Sequence, residues 1–149
     1  MYNALLMQAQ YSSCVLAVDW GSKRIGISVS DPAKKIARPL DVVLHTSRTN
    51  DAEKIVDLSK KNNADVIVVG VTYDDENCLT PSGRSASRLA DEISKLFGRP
   101  VILWDEAFTT QDAKELQIEK GISQKKRRGH QDEIAAVLLL NDYLEKTNP

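Results

Sequence analysis

The segment that most constrains the fold of this chain is Cys-Val-Leu-Ala-Val-Asp-Trp at residues 14–20. It is apolar on both faces of a strand, and strands of this kind lie in the middle of a sheet that is covered on both sides. Gly21 and Ser22 then turn the chain, and residues 25–30 alternate apolar with small side chains, which predicts a second strand. Because the connection is short, the two strands are expected to pair antiparallel.

The rest of the chain alternates between strand and helix patterns. We expect a third strand at 36–44, which Pro39 places at an edge of the sheet, and a helix at 51–62 that Asn50 caps. The later predicted elements are a buried strand at 66–69, a polar loop at 71–82, a helix at 84–97, a buried strand at 101–104, a helix from Thr109 or Thr110 to about Lys120, and a last helix at about 132–146. A hairpin-built half followed by βα units predicts a mixed α/β sheet with helices on its faces.

Composition suits a single domain and indicates no class of partner. With 20 basic and 21 acidic residues the net charge is −1, so any binding of nucleic acid must come from a local patch. We expect residues 1–13 to form a flexible N-terminal extension and residues 14–146 to form one domain. No apolar run could span a bilayer, and the extension lacks the basic start of a signal peptide, so we expect no membrane contact and a cytoplasmic location.

Acidic side chains follow two of the predicted buried strands. An unpaired carboxylate buried near a strand end costs several kcal/mol, so Asp19 needs a hydrogen-bond network, a partner or a metal. The alternative is that Asp19 caps the turn that follows it. Asp105 and Glu106 follow another buried strand, and if that strand is parallel to the first, both lie at the same edge of the sheet. Strand parity puts them on opposite faces, so only one of the two is expected to join Asp19.

A third acidic position precedes the apolar part of the last predicted helix. Asp132 and Glu133 open this helix, where the helix dipole also favours an acid for purely structural reasons. The two alanines that follow let the helix lie close to the sheet and bring Asp132 near Asp19. Converging carboxylates repel each other unless a cation lies between them, and Mg²⁺ prefers oxygen ligands. Two such ions can activate a water and stabilise the leaving oxygen of a phosphodiester.

Other catalytic patterns are missing from the sequence. There is no Walker lysine loop, no zinc-ligand spacing and no Ser-His-Asp signature. His45 and His130 are interpreted as isolated surface residues. Cys14 opens an apolar run and is expected to be buried, whereas Cys78 lies in a polar stretch and is expected to be exposed.

A basic run lies just before Asp132, and two more basic residues lie in the first predicted turn. Such runs are commonly no more than solvated loop, but the position next to a candidate metal ligand favours contact with phosphates. Contacts of this kind position a nucleic-acid backbone without reading its sequence. The expected substrate-binding residues are Lys23, Arg24, Lys125, Lys126, Arg127 and Arg128.

An ordered set of short blocks, spanning about residues 15–145, resembles the YqgF/RuvX family. The blocks are Leu-Ala-Val-Asp-Trp-Gly-Ser-Lys-Arg-Ile-Gly at 16–26, Val-Ser-Asp-Pro at 29–32, Ala-Arg-Pro-Leu at 37–40, Val-Val-Gly at 68–70, Asp-Glu-x-x-Thr-Thr at 105–110 and Asp-Glu-Ile-Ala-Ala at 132–136. The resemblance implies an RNase H-like domain related to Holliday-junction resolvases, and a nuclease that matures the 5′ end of pre-16S rRNA in the cytoplasm. It implies catalytic and metal-binding roles for Asp19, Glu106 and Asp132, with Mg²⁺ or Mn²⁺ as the cofactor.

Two departures from the family pattern bear on activity. Val71-Thr72 stands where the family usually has Leu-Pro, and Ala107 stands where it has arginine. If that arginine steadies the phosphate or orders the acids, this protein is expected to be slower or differently selective.

Several functions remain open from the sequence. A resolvase of branched DNA would need a dimer whose two active sites face opposed strands, and the sequence leaves open whether the chain is a monomer or a homodimer. A nucleic-acid-binding module without catalysis is a further alternative. The Asp-x-Gly-Ser pattern at the first hairpin is also similar to the phosphate loop of actin and hexokinase-like ATP-binding domains, although this chain is too short for their two-lobed cleft.

Overall fold

A computed structural model of the protein describes residues 13–106 and 124–147, and it describes the side chains of 13–106 and 134–147. In chain order the described elements are β1 (Cys14–Asp19), β2 (Arg24–Ser30), β3 (Ala37–Leu44), α1 (Arg48–Lys61), β4 (Ala64–Val71), α2 (Pro81–Phe97), β5 (Val101–Asp105) and α3 (Gln124–Thr147). The predicted N-terminal extension, except for Ser13, and the predicted helix at 109–120 lie outside the described residues.

The five strands form one mixed sheet in the order β3-β2-β1-β4-β5. β1 pairs antiparallel with β2 and β2 antiparallel with β3, whereas β1–β4 and β4–β5 are parallel pairs. The prediction of a hairpin-built half followed by parallel βα units is therefore confirmed. β3 is an edge strand, as Pro39 indicated.

Alternate residues of the central strand β1 enter two separate cores. Leu16 and Val18 pack with residues of α1 and α2 on one face of the sheet. Val15 and Ala17 pack with residues of α3 on the other face. Because the strand is buried on both sides, the apolar pattern of residues 14–18 runs without alternation, as its sequence predicted.

Two helices begin earlier than the sequence indicated. Ser47, rather than Asn50, caps α1, and its Oγ accepts a hydrogen bond from the Asn50 backbone N–H at 3.2 Å. Thr80 caps α2 in the same way through the Gly83 N–H at 3.0 Å, and Pro81 takes the first helical position. Proline is favoured there because that position has no partner for its N–H within the helix.

α3 also begins earlier, so the basic run at 125–128 lies in this helix and not in a loop. It starts at Gln124, so the prediction of a loop before 132 and of Asp132 opening the helix was wrong. Lysine, arginine and glutamine are good helix formers, and one Gly129 costs only about 1 kcal/mol relative to alanine. None of the helices in the described parts of the chain has the length and hydrophobicity needed to cross a bilayer.

Candidate active site

The carboxyl ends of three parallel strands meet at one edge of the sheet. Val18 and Val69 are the last paired residues of β1 and β4, and Asp19 lies beside Gly70 one position further along. Gly70 in turn pairs with Trp104 of β5. The Glu106 backbone N–H donates to the Val71 carbonyl at 2.9 Å, so the chain stays attached to the sheet edge just past β5.

Strand parity places the two catalytic candidates on the same face. Asp19 has the parity of Ala17, which packs on the α3 face, and Trp104 packs on that face as well. Glu106 follows Trp104 by two residues and shares its side of the sheet, whereas Asp105 is exposed. Of the two neighbouring acids, Glu106 is therefore the one that joins Asp19.

The buried Glu106 and the half-buried Asp19 form a carboxyl pair. Glu106 is only 9% exposed, and its carboxyl group is hydrogen-bonded to that of Asp19. Burial is the main cause that raises the pKa of Glu106 far above its ordinary range, followed by the hydrogen bond to Asp19 and the negative charges of Asp19 and Asp105. Two carboxyl groups this close share a proton when no cation is bound. A divalent cation could take the place of that proton.

Gly70 makes room for the pair. A Cβ atom at this position would overlap Cγ, Cδ and Oε1 of Glu106. The β4 backbone thus forms the surface on which the Glu106 side chain lies. In the sequence, Gly70 stands out only as the last residue of the Val-Val-Gly block that resembles the family. A glycine at the end of a buried strand is itself a signal of close approach by another group.

α3 crosses the face that carries the acid pair, with its first half toward the same edge. The Ser28 hydroxyl donates to the Ala136 carbonyl at 2.7 Å in a buried contact, and Ala136 is fully buried. Farther along α3, Leu144 lines a groove with Lys34, which lies in the turn at the opposite edge of the sheet. Asp132 precedes Ala136 by one turn, about 6 Å along the helix axis. Its backbone therefore lies toward the acid pair, and its side chain is outside the described residues.

The third predicted metal ligand is thus placed only by its backbone. Among the described side chains, no group of three histidine, cysteine or acidic residues could hold a metal ion. The described part of the site consists of Asp19 and Glu106. Carboxylate oxygens are ligands that Mg²⁺ and Mn²⁺ accept, so the chemistry of the pair fits such an ion.

The predicted phosphate-binding residues fall in two places. Lys23 and Arg24 are exposed in the turn between β1 and β2 and at the start of β2, at the same edge as Asp19. The other four lie in the first half of α3, and their side chains are outside the described residues: Lys125, Lys126, Arg127 and Arg128.

His45 is exposed, as predicted, but it is not isolated. Its Nδ1 pairs with the carboxylate of Asp51, which is completely buried. Asp51 also accepts a hydrogen bond from the Thr46 backbone N–H at 3.1 Å. No local sequence signal marks this pair, because the burial of Asp51 follows only from the fold. The side chain of His130 lies outside the described residues, and Cys14 is buried and Cys78 exposed, as expected.

Comparison with known proteins identifies the family. A family model described as RuvX, Holliday junction resolvase, matches residues 13–146. A protein of Thermoanaerobacter pseudethanolicus named as a proposed pre-16S rRNA nuclease is 35% identical over 132 residues, covering 88% of this chain and 95% of that protein. A protein of Listeria innocua with the same name is 32% identical over 136 residues, covering 90% of this chain and 99% of that protein.

Two solved structures that share the fold are Holliday-junction resolvases. The fowlpox virus resolvase bound to junction DNA aligns with a TM-score of 0.57 at 15% identity, covering 91% of this chain and 99% of that chain. RuvC of T. thermophilus in complex with a junction aligns with a TM-score of 0.53 at 16% identity, covering 91% of this chain and 96% of that chain. At these identities the likeness shows the fold, which is the RNase H-like fold predicted from the sequence. With the match to the family model and the two curated relatives, it follows that this chain belongs to the RuvX family.

Proposed function

We propose that this chain is a metal-dependent nuclease that hydrolyses phosphodiester bonds in the 5′-end maturation of pre-16S rRNA. The observation that carries the proposal is the pair of the buried Glu106 and the half-buried Asp19 at the sheet edge where parallel strands end. Open α/β sheets bind their ligands at such edges. The names of the curated relatives, which share about a third of the sequence, support the choice of substrate.

Asp19 and Glu106 would hold the cation, with Asp132 as the third ligand. A bound Mg²⁺ or Mn²⁺ would act as a Lewis acid toward a phosphodiester oxygen. The protein supplies two fixed carboxyl groups on one face and a floor of backbone at Gly70 that keeps Glu106 in place. Burial of Glu106 limits the approach of bulk water from the side of the sheet.

Basic residues at the same edge would hold the phosphates of the substrate. Lys23 and Arg24 are exposed next to Asp19, and the basic run 125–128 precedes Asp132 on α3. These residues supply charge without base recognition, so their loss should weaken binding of all nucleic acids alike. Processing of ribosomal RNA places the proposed activity in the cytoplasm.

The test is cleavage of end-labelled pre-16S RNA in Mg²⁺, Mn²⁺ or EDTA by wild type and Asp19→Asn. We expect metal-dependent cuts that Asp19→Asn abolishes and that Asp57→Asn, an exposed aspartate on α1, retains. Equal cleavage by wild type and Asp19→Asn would contradict the proposal. Binding of RNA without any cleavage would instead indicate a non-catalytic nucleic-acid-binding module.

Resolution of branched DNA is the second candidate. The description of the family model and the two structures solved with junction DNA favour it. A resolvase needs a dimer with two active sites that face opposed strands. A four-way DNA junction belongs in the same assay, and cuts in the junction alone, by a protein that sediments as a dimer, would make this the function.

A further inference from the structure

A cleft lies on the face of the sheet opposite to the Asp19–Glu106 pair. It has a volume of about 210 Å³ and is lined by Trp20, His45, Ser47, Arg48, Ser85 and Leu89. Its walls therefore combine an aromatic ring, an arginine, a histidine and two hydroxyl groups. Leu89 is buried and is the aliphatic residue among those that line the cleft.

The cleft and the acid pair share one edge of the sheet. Trp20 directly follows Asp19, and because side chains alternate, it packs against the core on the α1 and α2 face. The His45 backbone N–H donates to the Lys23 carbonyl at 2.9 Å, which ties the end of β3 to the turn after Asp19. A strand of nucleic acid that contacts Lys23 would therefore pass close to His45, which lines the cleft.

The buried Asp51 fixes the position of His45 in the polar wall of the cleft. The buried Asp51 carboxylate pairs with Nδ1 of His45 and accepts the Thr46 N–H. A buried carboxylate needs such partners, so the His45 ring is fixed with Nε2 as the nitrogen left for other contacts. The His45 and Trp20 rings meet edge to face with centroids 6.4 Å apart. The cleft is thus preorganised before any ligand arrives.

We propose that this cleft binds one unpaired nucleotide of the substrate, with its base against Trp20 and its phosphate at Arg48. The inference rests on the proposed action on nucleic acid. Aromatic stacking beside a cation is how proteins hold unpaired nucleotides without reading sequence. Ser47 Oγ already accepts the Asn50 N–H, which leaves its own hydrogen to donate to a phosphate. The volume is below the roughly 300 Å³ of pockets for drug-sized ligands and suits one unit of a chain.

Tryptophan fluorescence tests this directly, because the chain has only two tryptophans. In Trp104→Phe the remaining emission comes from Trp20, and titration with single-stranded oligouridylate in EDTA avoids cleavage. We expect a saturable change in Trp20 emission. Arg48→Ala in the same background should bind about tenfold more weakly. Arg38→Ala, which removes an exposed arginine near the other end of β3, should bind as the parent does.

The outcomes separate this proposal from the proposed function. Equal affinity of Arg48→Ala and the parent, or binding seen by anisotropy with unchanged Trp20 emission, would overturn the nucleotide cleft while leaving nuclease activity intact. Absence of all binding by the parent would overturn the nucleotide cleft as well, and the proposed function would be decided by cleavage of pre-16S RNA. In cleavage assays Arg48→Ala should raise KM and leave kcat unchanged, whereas a merely structural role of Arg48 would change stability and not KM.

Discussion

The carboxyl group of Glu106 occupies the space that a side chain at position 70 would fill. This relationship joins the end of β4 to the residue just past β5 and aims Glu106 at Asp19. Glycine is required here for space and not for backbone conformation, since the residue lies within a regular strand.

Gly70→Ala should therefore reduce activity without unfolding the protein. The added methyl group would push the Glu106 carboxyl away from Asp19, and displacement of a catalytic group by about 1 Å can cost about 100-fold in rate. The measurement is kcat for metal-dependent cleavage, with circular dichroism to confirm folding. Wild-type kcat in Gly70→Ala would show that the position of Glu106 is unimportant.

Gly98→Ala is the matched control. Gly98 caps α2 with φ of 70°, and a Cβ there would contact nothing within 4 Å. The left-handed conformation should make this variant about 1 kcal/mol less stable in urea unfolding, with unchanged kcat. A loss of activity in Gly98→Ala as large as that in Gly70→Ala would mean that the assay reports stability only.

Glu106→Gln should abolish cleavage and stabilise the protein in EDTA. Burial raises the pKa of Glu106, so folding takes up a proton at neutral pH, and the free energy of unfolding falls as pH rises above the unfolded value of about 4.5. Glutamine needs no proton uptake to be buried, and its side-chain amide can still donate a hydrogen bond to Asp19. We expect a gain of about 1–3 kcal/mol at pH 7 in urea unfolding.

Asp105→Asn is the control for this substitution, because Asp105 is exposed on the other parity of the strand. It should keep most of the activity and change stability little. Loss of stability in Glu106→Gln, or loss of cleavage in Asp105→Asn alone, would contradict the assignment of Glu106 as the partner of Asp19.

Asp31 affects the pH dependence of stability in the opposite direction to Glu106, because its contribution to the free energy of unfolding grows as pH rises. Its carboxylate accepts the backbone N–H groups of Lys35 and Ile36 at 2.8 and 2.9 Å, and these bonds lower its pKa below 3.8. The charged form therefore stabilises the β2–β3 turn above about pH 4, and this contribution is lost as pH falls through the lower folded value. Asp31→Asn should be less stable than wild type at neutral pH, and the difference should shrink in acid. A difference that is independent of pH would contradict this explanation.

Ala136→Leu should move α3 away from the sheet. Ala136 is fully buried and its carbonyl accepts the Ser28 hydroxyl, so extra bulk there has no room. Overpacking of this kind costs about 1–3 kcal/mol. If α3 supplies Asp132 to the site, the affinity for Mn²⁺ should fall as well, measured by calorimetry. Unchanged stability would show that the helix is not closely packed at this point.

The sheet could be predicted because the sequence of β1 indicates a central strand. Val15, Leu16, Ala17 and Val18 are apolar without alternation, and only a strand buried on both faces requires that. Asp19 then stood out as a charge at the end of a buried strand. The alternation of side chains along a strand indicated that only one of Asp105 and Glu106 could lie beside it. The choice of Glu106 over Asp105 needed the parallel register of β4 and β5, which sequence alone does not give.

The features that were missed depend on contacts between distant segments. The pairing of His45 with Asp51 requires the end of β3 to lie against the first turn of α1, and neither residue shows this in its local pattern. The start of α3 was misplaced because charged helix formers resemble a solvated loop when no apolar face marks them. The role of Gly70 was missed because Glu106, the side chain that needs its space, follows only after α2 and β5 in the chain.

The central claim is that Asp19 and Glu106 hold a divalent cation for phosphodiester hydrolysis. The most direct test is calorimetric titration of Mn²⁺ into wild type, Asp19→Asn and the exposed-site control Asp57→Asn at constant pH. We predict binding by wild type and by Asp57→Asn, and at least about tenfold weaker binding by Asp19→Asn, because one anionic ligand is lost. Equal Mn²⁺ affinity in all three proteins would contradict the account.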